Sequence, residues 1–486
     1  MKLFSCGILA MLISLCAFGQ NEQDVLRYSR VGFGGSARYS SMGGAFGALG
    51  GDVSIMSTNP AGLGVFRKSD FAFTPSFFNQ GVTSEYGDTI TSDERFNMKF
   101  DGIGFVIASR PEVRTDHGWQ MLTMGIGYSR TNAFQANLRM EGNATTSLMD
   151  SWVRSASGTG VSSLDPFNED LAWQTYLLDP APGDTTNYVD RVPDGDLVRQ
   201  FKTVTQRGGM GEWSFGAAGN YDSRLYIGAS VGLPTVKYEE QTYYSEREVY
   251  DTVSNFDFLS FEQFLETKGR GINFKAGVIF RPTDYLRLGV AFHSPSSLKL
   301  TDTYFSKMSS ILGDTVRSWE SPNGNYSYTI RTPMRLIGSL AFVVGKFALL
   351  SFDYEFVDYS DGKLKAPDYS FFDENSAVRA KYKAAGNIRA GLEMKFSPLS
   401  FRAGFAYYGS PYKETVNNEV PRVYITGGLG YRDPDDVFYI DLGFVSQQFT
   451  ENYYFYDQSL VDAVVNKWNS INILLTVGLR FGESAQ

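Results

Sequence analysis

Thiols are almost absent from this 486-residue chain: its two cysteines, Cys6 and Cys16, both fall within the first nineteen residues. Those residues read as a secretory leader. Lys2 supplies the charged start, Leu3 to Leu15 the apolar run, and Ala17 and Gly19 the −3 and −1 positions of a cleavage site. The apolar run is short for a membrane anchor. Ile13-Ser14-Leu15, ahead of Cys16, lacks the small residue that a lipoprotein cut needs. Cleavage after Gly19 would leave a mature chain that relies on packing and hydrogen bonding, with no cysteine nucleophile and no thiolate metal site. Histidine is equally scarce, at His117 and His293. No HExxH or other clustered ligand spacing occurs, so neither a metal nor another cofactor is expected. No GxSxG elbow frames a serine nucleophile, and an enzyme is not expected. The glycines from Gly43 to Gly51 are not followed by Gly-Lys-Ser/Thr, which removes a phosphate loop. Positive charge is in deficit too, with a formal net charge of −9. A nucleic-acid binder would need a basic balance. Long apolar runs are missing as well: the best after the leader, Leu336 to Phe352, is broken by Lys346.

What the chain has in abundance is aromatic residues and glycine: 29 Tyr, 38 Phe and 50 Gly, at a mean hydropathy of −0.21. A transmembrane β-barrel yields such numbers, because lipid-facing and lumen-facing residues alternate and average out. The last strand shows the period most clearly. Ile471, Ile473, Leu475, Val477, Leu479 and Phe481 face one way, and Asn472, Leu474, Thr476, Gly478 and Arg480 the other. Comparable stretches are expected at 69–78, 98–110, 119–142, 209–222, 224–244, 270–282, 285–301, 326–344, 346–362, 380–397, 399–413, 420–432, 437–452 and 467–481. Tight links at Asp222-Ser223, Pro282 to Asp284, Gly345-Lys346, Ser397-Pro398 and Arg432 to Val437 alternate with long ones near 79–97, 143–208, 245–269, 302–325, 363–379 and 453–466. Short periplasmic turns and long external loops on an even number of strands fit an outer-membrane barrel, whereas a soluble sandwich has no reason to sort its loops by length. The expectation is an all-β, fourteen-stranded antiparallel barrel spanning residues 69–486, with a long external loop at 143–208.

Between leader and barrel lies GGSARYSSMGGAFGALGGDVSIMSTNPAGLG, Gly35 to Gly64. Its glycines and small turn formers suit a backbone folded tightly on itself. The order MGGAF, Asp52, NPAGLG resembles the N-terminal hatch of the FadL/TodX family of outer-membrane barrels. RTPMRLIGSLAF at 331–342, DYEFVDYS at 353–360 and FRAGFAYYGSPY at 401–412 are similar to strands of the same family, which carries the resemblance over nearly the whole mature chain. The resemblance implies a hatch at 20–68 that plugs the lumen, with Gly43, Gly44, Asp52, Asn59, Pro60 and Ala61 holding it. Asn59 and Pro60 could equally terminate the segment structurally. It also implies passive, hatch-gated uptake of hydrophobic molecules such as long-chain fatty acids. A gap made by a kinked strand serves the family as an exit, and Gly125 and Gly127 are candidates for that kink.

The loop at 143–208 is long enough to fold on its own account. Leu148, Met149, Trp152 and Val153 share one face of a short helix, and Phe167, Leu171, Trp173 and Leu177 form a second group. Phe261, Phe264 and Leu265 show similar spacing in 245–269. Two readings stand: these faces pack the loops onto the rim, or Trp152, Trp173, Phe261, Phe264 and Leu265 form an external greasy groove that captures ligand. The expected partners are a hydrophobic ligand and outer-membrane lipid, around a monomer. The alternatives are an accessory barrel subunit of a secretion or assembly complex, and a channel for hemin or polar solutes.

Overall fold

A computed structural model describes residues 20–110, 117–192, 195–250, 256–416, 418 and 421–482, so the leader lies outside the described residues. Fourteen antiparallel staves close into a ring. They are β1 Ser69–Tyr86, β2 Thr89–Ser109, β3 Trp119–Ala133 continued by Ala136–Ala144, β4 Val198–Tyr221 and β5 Leu225–Glu248. Next come β6 Phe258–Phe280, β7 Leu286–His293 with Ser297–Leu312, and β8 Gly324–Arg331 with Arg335–Val344. β9 Ala348–Asp358, β10 Ala384–Phe396, β11 Leu399–Tyr408, β12 Arg422–Arg432, β13 Phe438–Tyr453 and β14 Val464–Phe481 complete the ring. Each pairs with its neighbours in sequence, and β1 closes on β14 with Ser69 opposite Phe481. Closure of β1 on β14 completes the ring, the condition for spanning lipid with strands. Among the described residues no helix is long and apolar enough to cross a membrane.

The outward row of β14 is exposed from Ile471 to Phe481, while Leu474 and Thr476 are buried in the lumen. That is the alternation read from the sequence. At the Asp222-Ser223 link both residues take positive φ, 52° and 51°, the geometry that matches a two-residue turn to the twist of its strands.

Several long connections turn out to be strand. A spanning strand needs about 9–11 residues, yet β4 and β5 hold 24 each. On β5 the outward row runs Ile227, Val231 and Leu233 through lipid, then Thr235, Lys237 and Glu239 above it. Residues 79–97, expected as a loop, form the tip of the β1–β2 hairpin, with Tyr86 opposite Thr89. Most of their outward positions, such as Asn79, Thr83, Glu85, Ser92 and Glu94, are polar, with only Ile90 and Phe96 exposed as large apolar side chains, which hides much of the lipid-facing half of the signal.

Helices α1 (Glu22–Ser29) and α2 (Ala37–Ser41) lie in the N-terminal segment. The loop expected at 143–208 is shorter, because β3 runs to Ala144 and β4 begins at Val198. Its residues 145–192 fold over the mouth as a roof, with helices α3 (Leu148–Ala156) and α4 (Glu169–Gln174) and a small hairpin. Leu148, Met149, Trp152, Leu171 and Leu177 pack with Tyr86, Leu138, Tyr244 and Phe261 from the staves and Phe455 from the β13–β14 connection in one apolar cluster.

Candidate functional site

Residues 20–66 are held against the inward faces of staves around the ring. The N–H of Gly32 donates to Thr131 O on β3 at 2.8 Å, and that of Ala37 to Thr476 Oγ1 on β14 at 2.7 Å. The Gly43 N–H donates to Thr426 Oγ1 on β12 at 3.1 Å, and that of Gly47 to Asp353 Oδ2 on β9 at 3.1 Å. In return, Arg287 on β7 donates to Leu49 O at 2.7 Å and Ser230 on β5 to Met56 O at 3.1 Å. Backbone turned toward the wall finds its partners there, as buried backbone must.

The expected hatch residues each have a place in this arrangement. Asn59 is fully buried; its Nδ2 donates to Gly47 O at 2.6 Å, and its Oδ1 accepts from the Ala61 N–H at 3.1 Å. Pro60 opens the short 3-10 helix Pro60–Val65, where a missing N–H costs nothing. Asp52 accepts from Ser36 Oγ at 2.7 Å and the Ser54 N–H at 2.9 Å, pinning two turns together. Gly43 and Gly44 sit at φ of +63° and +71°, and a Cβ on Gly43 would lie 2.9 Å from Phe405 O. Glycine is required there by both conformation and space.

A charged network that sequence reasoning missed completes the contact. Arg38 Nη2 reaches Glu393 Oε2 on β10 at 2.7 Å, Arg402 on β11 lies 3.3 Å from the other carboxylate oxygen, and Arg402 also meets Asp441 on β13 at 2.6 Å. Beside it Arg335 pairs with Glu355 at 2.5 Å. The available signal was charge at the inward positions of strands whose outward row is apolar.

A narrow cavity of about 80 Å³ remains between the segment and the wall, lined by Phe33, Glu212, Lys275, His293, Glu355 and Arg389 among others. His293 is buried, with Nε2 2.7 Å from Thr58 O. Arg389 is 4 % exposed, and its Nε and Nη2 make no hydrogen bond, although Glu355 and Asp353 stand 3.6 and 3.8 Å away.

The wall parts next to this segment. The β2–β3 ladder runs from Ser109↔Leu122 to Gly102↔Ser129 and stops. Beyond it β2 stays with β1, and β3 follows β4 through a register shift between Arg130 and Asn132. Gly34 fills the parting so closely that a Cβ would sit 2.0 Å from Arg130 O. Gly125 and Gly127, the expected kink, lie instead in regular register; a Cβ there would meet Met56 Sδ at 3.0 Å or Met56 Cε at 2.8 Å. Their smallness makes room for the segment, not for a bend.

The five groove residues are not gathered on one open surface. Trp152 and Phe261 are buried edge-to-face, ring centres 5.0 Å apart, and Trp173 is packed partly against the same cluster. Leu265 belongs to a second cluster around the N-terminal helix α1 (Glu22–Ser29). Phe264 points outward and stacks on Phe305 at 5.3 Å. The spacing of Phe261, Phe264 and Leu265 was read as helical, but all three lie on β6, where period two puts Phe264 on the opposite face.

Residues 211–468 match the sequence profile of the outer membrane protein transport protein family (OMPP1/FadL/TodX). The chain belongs to this family. Its members are outer-membrane channels for hydrophobic compounds, and the closed barrel above is a FadL/TodX barrel. The fold is similar to the crystal structure of a Pseudomonas aeruginosa FadL homologue, at TM-score 0.55 and 12 % identity, covering 93 % of this chain and 100 % of that one. It is also similar to that of the Pseudomonas putida toluene transporter TodX, at TM-score 0.54 and 13 % identity, covering 93 % and 100 %. No curated protein sequence matches the chain.

Proposed function

We propose that this FadL/TodX barrel passes hydrophobic small molecules across the outer membrane by passive diffusion, with residues 20–68 as the gating hatch and a monomer as the working unit. The observation that carries this reading is the ring of contacts from Gly32 to Met56 on staves between β3 and β14. A segment so placed must move before anything larger than water crosses. The parting of β2 and β3 supports a sideways exit, because a ligand released there meets lipid, its preferred solvent, without crossing the charged lower lumen.

Among hydrophobic ligands, an amphiphile with a carboxylate such as a long-chain fatty acid fits better than a bare hydrocarbon. Arg389 presents two guanidinium nitrogens without hydrogen bonds to the cavity, and a carboxylate can accept both in a bidentate pair. Each buried CH₂ adds roughly 0.8 kcal/mol, so binding should tighten with chain length. The test is ligand binding to purified protein, comparing fatty acids of increasing length with their methyl esters and with toluene. Tighter binding of the acids, lost in Arg389→Gln, supports the reading. Equal binding of acids, esters and toluene removes the carboxylate from it.

A further inference from the structure

We infer that the outer wall over β5 to β9 binds the phosphate groups of outer-leaflet lipid. The long connections of an outer-membrane barrel face outside the cell, so the strand extensions above the apolar band stand at and beyond the outer headgroups. The lipid-facing rows end at one level, on Leu233, Ile272, Phe292, Met334 and Phe356, all exposed. Just above that level the outward positions turn cationic: Lys237 on β5, Lys268 and Arg270 on β6, Lys299 on β7 and Arg331 on β8. The short strand Lys363–Lys365, paired to β8, adds two more.

The register places these cations against one another. Lys237 lies opposite Lys268, Arg270 opposite Lys299, and Arg331 opposite Lys363. Residues directly opposite have Cβ atoms roughly 4.5–5.5 Å apart, and like charges so placed are destabilising. Three such pairs side by side are a cost to the unliganded wall that a row of anions would remove. One nearby carboxylate offsets the belt in part, Glu266 pairing with Lys268 at 2.7 Å; Glu239 faces Arg207 at 4.0 Å, and Asp358 accepts from Ser360. Among the described residues Lys237, Arg270, Lys299 and Arg331 make no ion pair. The chain as a whole is acidic, at −9, so the belt is a concentration against the average. The opposite wall lacks it: Lys467 on β14 is taken by Glu85, and β2 shows Glu94.

The surface is convex and sits directly over exposed apolar side chains. A free anion finds no enclosing walls there, whereas a phosphorylated lipid engages both zones at once: phosphates on the belt, acyl chains on the band below. Its polar group is fixed at the right height by its own hydrocarbon, which raises the effective concentration of phosphate at the cations.

The test uses the full mature barrel in maltoside micelles, with native mass spectrometry counting bound lipid. The probes are diphosphoryl lipid A, the same lipid stripped of phosphate, and sodium tripolyphosphate as soluble competitor. The variant Lys268→Gln/Arg270→Gln/Lys299→Gln/Arg331→Gln changes only outward, exposed side chains. Arg224→Gln/Lys346→Gln, exposed on the short-turn rim, is the control, and heat-modified gel migration certifies folding of both. Wild type and control should prefer the phosphorylated lipid, and the fourfold variant should lose that preference, at about five-fold for each cation removed. Equal binding of both lipids by wild type, or a preference that survives in the folded variant, overturns the inference. So does displacement of the lipid by tripolyphosphate at equal concentration, which would make a soluble anion the occupant.

Discussion

The roof and the N-terminal segment both pack against the inner face of the barrel, yet the balance of forces that holds each differs. The roof is an apolar body: Trp152, Leu171 and Leu177 of the loop against Leu138, Tyr244 and Phe261 of the staves and Phe455 of the β13–β14 connection. Its main polar tie is one buried carboxylate, Glu246, which receives Tyr244 OH, Ser147 Oγ at 2.5 Å and the Leu148 N–H at 2.7 Å, at the start of α3. The N-terminal segment has apolar packing too, Phe46, Ile55 and Met56 with Val106 and Ala218, and Val25 and Leu26 with Tyr238 and Leu298. It adds to this backbone hydrogen bonds to successive staves and the Arg38–Glu393–Arg402–Asp441 network. Apolar burial is non-directional and tolerates small shifts. A charged, hydrogen-bonded fit is satisfied in one register and costly in others. The directional contacts therefore fix the register of the N-terminal segment more sharply than apolar packing fixes the roof.

Glu393→Gln leaves Arg38 and Arg402 short of a buried counter-charge, a loss on the order of 3–5 kcal/mol. Hydrogen exchange should rise across residues 20–66 while α3 stays protected. Trp152→Ala removes a side chain packed against Phe261 and should cost about 3–5 kcal/mol through the cavity it leaves. Here exchange should rise in residues 148–156 with the N-terminal segment unchanged. If either variant loosens both regions together, the two are one cooperative body and the distinction fails. Asn59→Ala is a milder probe: Gly47 O and the Ala61 N–H each lose a buried partner, at about 1–3 kcal/mol. Uptake should change more than assembly into the membrane.

The smallest expected effect sharpens the contrast through pH. Burial pushes the Glu246 carboxyl up to about 7 from 4.5, despite the hydrogen bonds that favour its charged form. A carboxyl raised in the folded state contributes stability that is fully present below about 4.5 and is lost as pH climbs through about 7. A spin label at position 154 should therefore be less mobile at pH 5 than at pH 8, and Glu246→Gln should flatten that difference. Asp302, above the membrane near α1, is also raised, to about 6, by burial and by Asp24. The upper end of the N-terminal segment should show a weaker trend in the same direction.

The barrel was legible because one face of each stave sits in lipid. The row Ile471 to Phe481 betrays its period at once, and the tight turns mark the other rim. Legibility failed where lipid ended. At 79–97 both faces of the hairpin carry polar residues, so strand reads as loop. At Phe261, Phe264 and Leu265 three apolar side chains fit either period over so short a span, and the ladders with β5 and β7 decide for strand. The glycines, Asp52 and Asn59 of the N-terminal segment were legible from their own turn chemistry. Their charged support was not, because Arg38 lies 355 residues from Glu393 and no local pattern links them.

Single-channel conductance in a planar bilayer tests most directly whether residues 20–66 close the lumen. The mature chain should conduct poorly, and a folded barrel lacking those residues should conduct several-fold more, with Glu393→Gln between the two. Equal conductance of the full and shortened barrels, both verified as folded and inserted, would contradict the account.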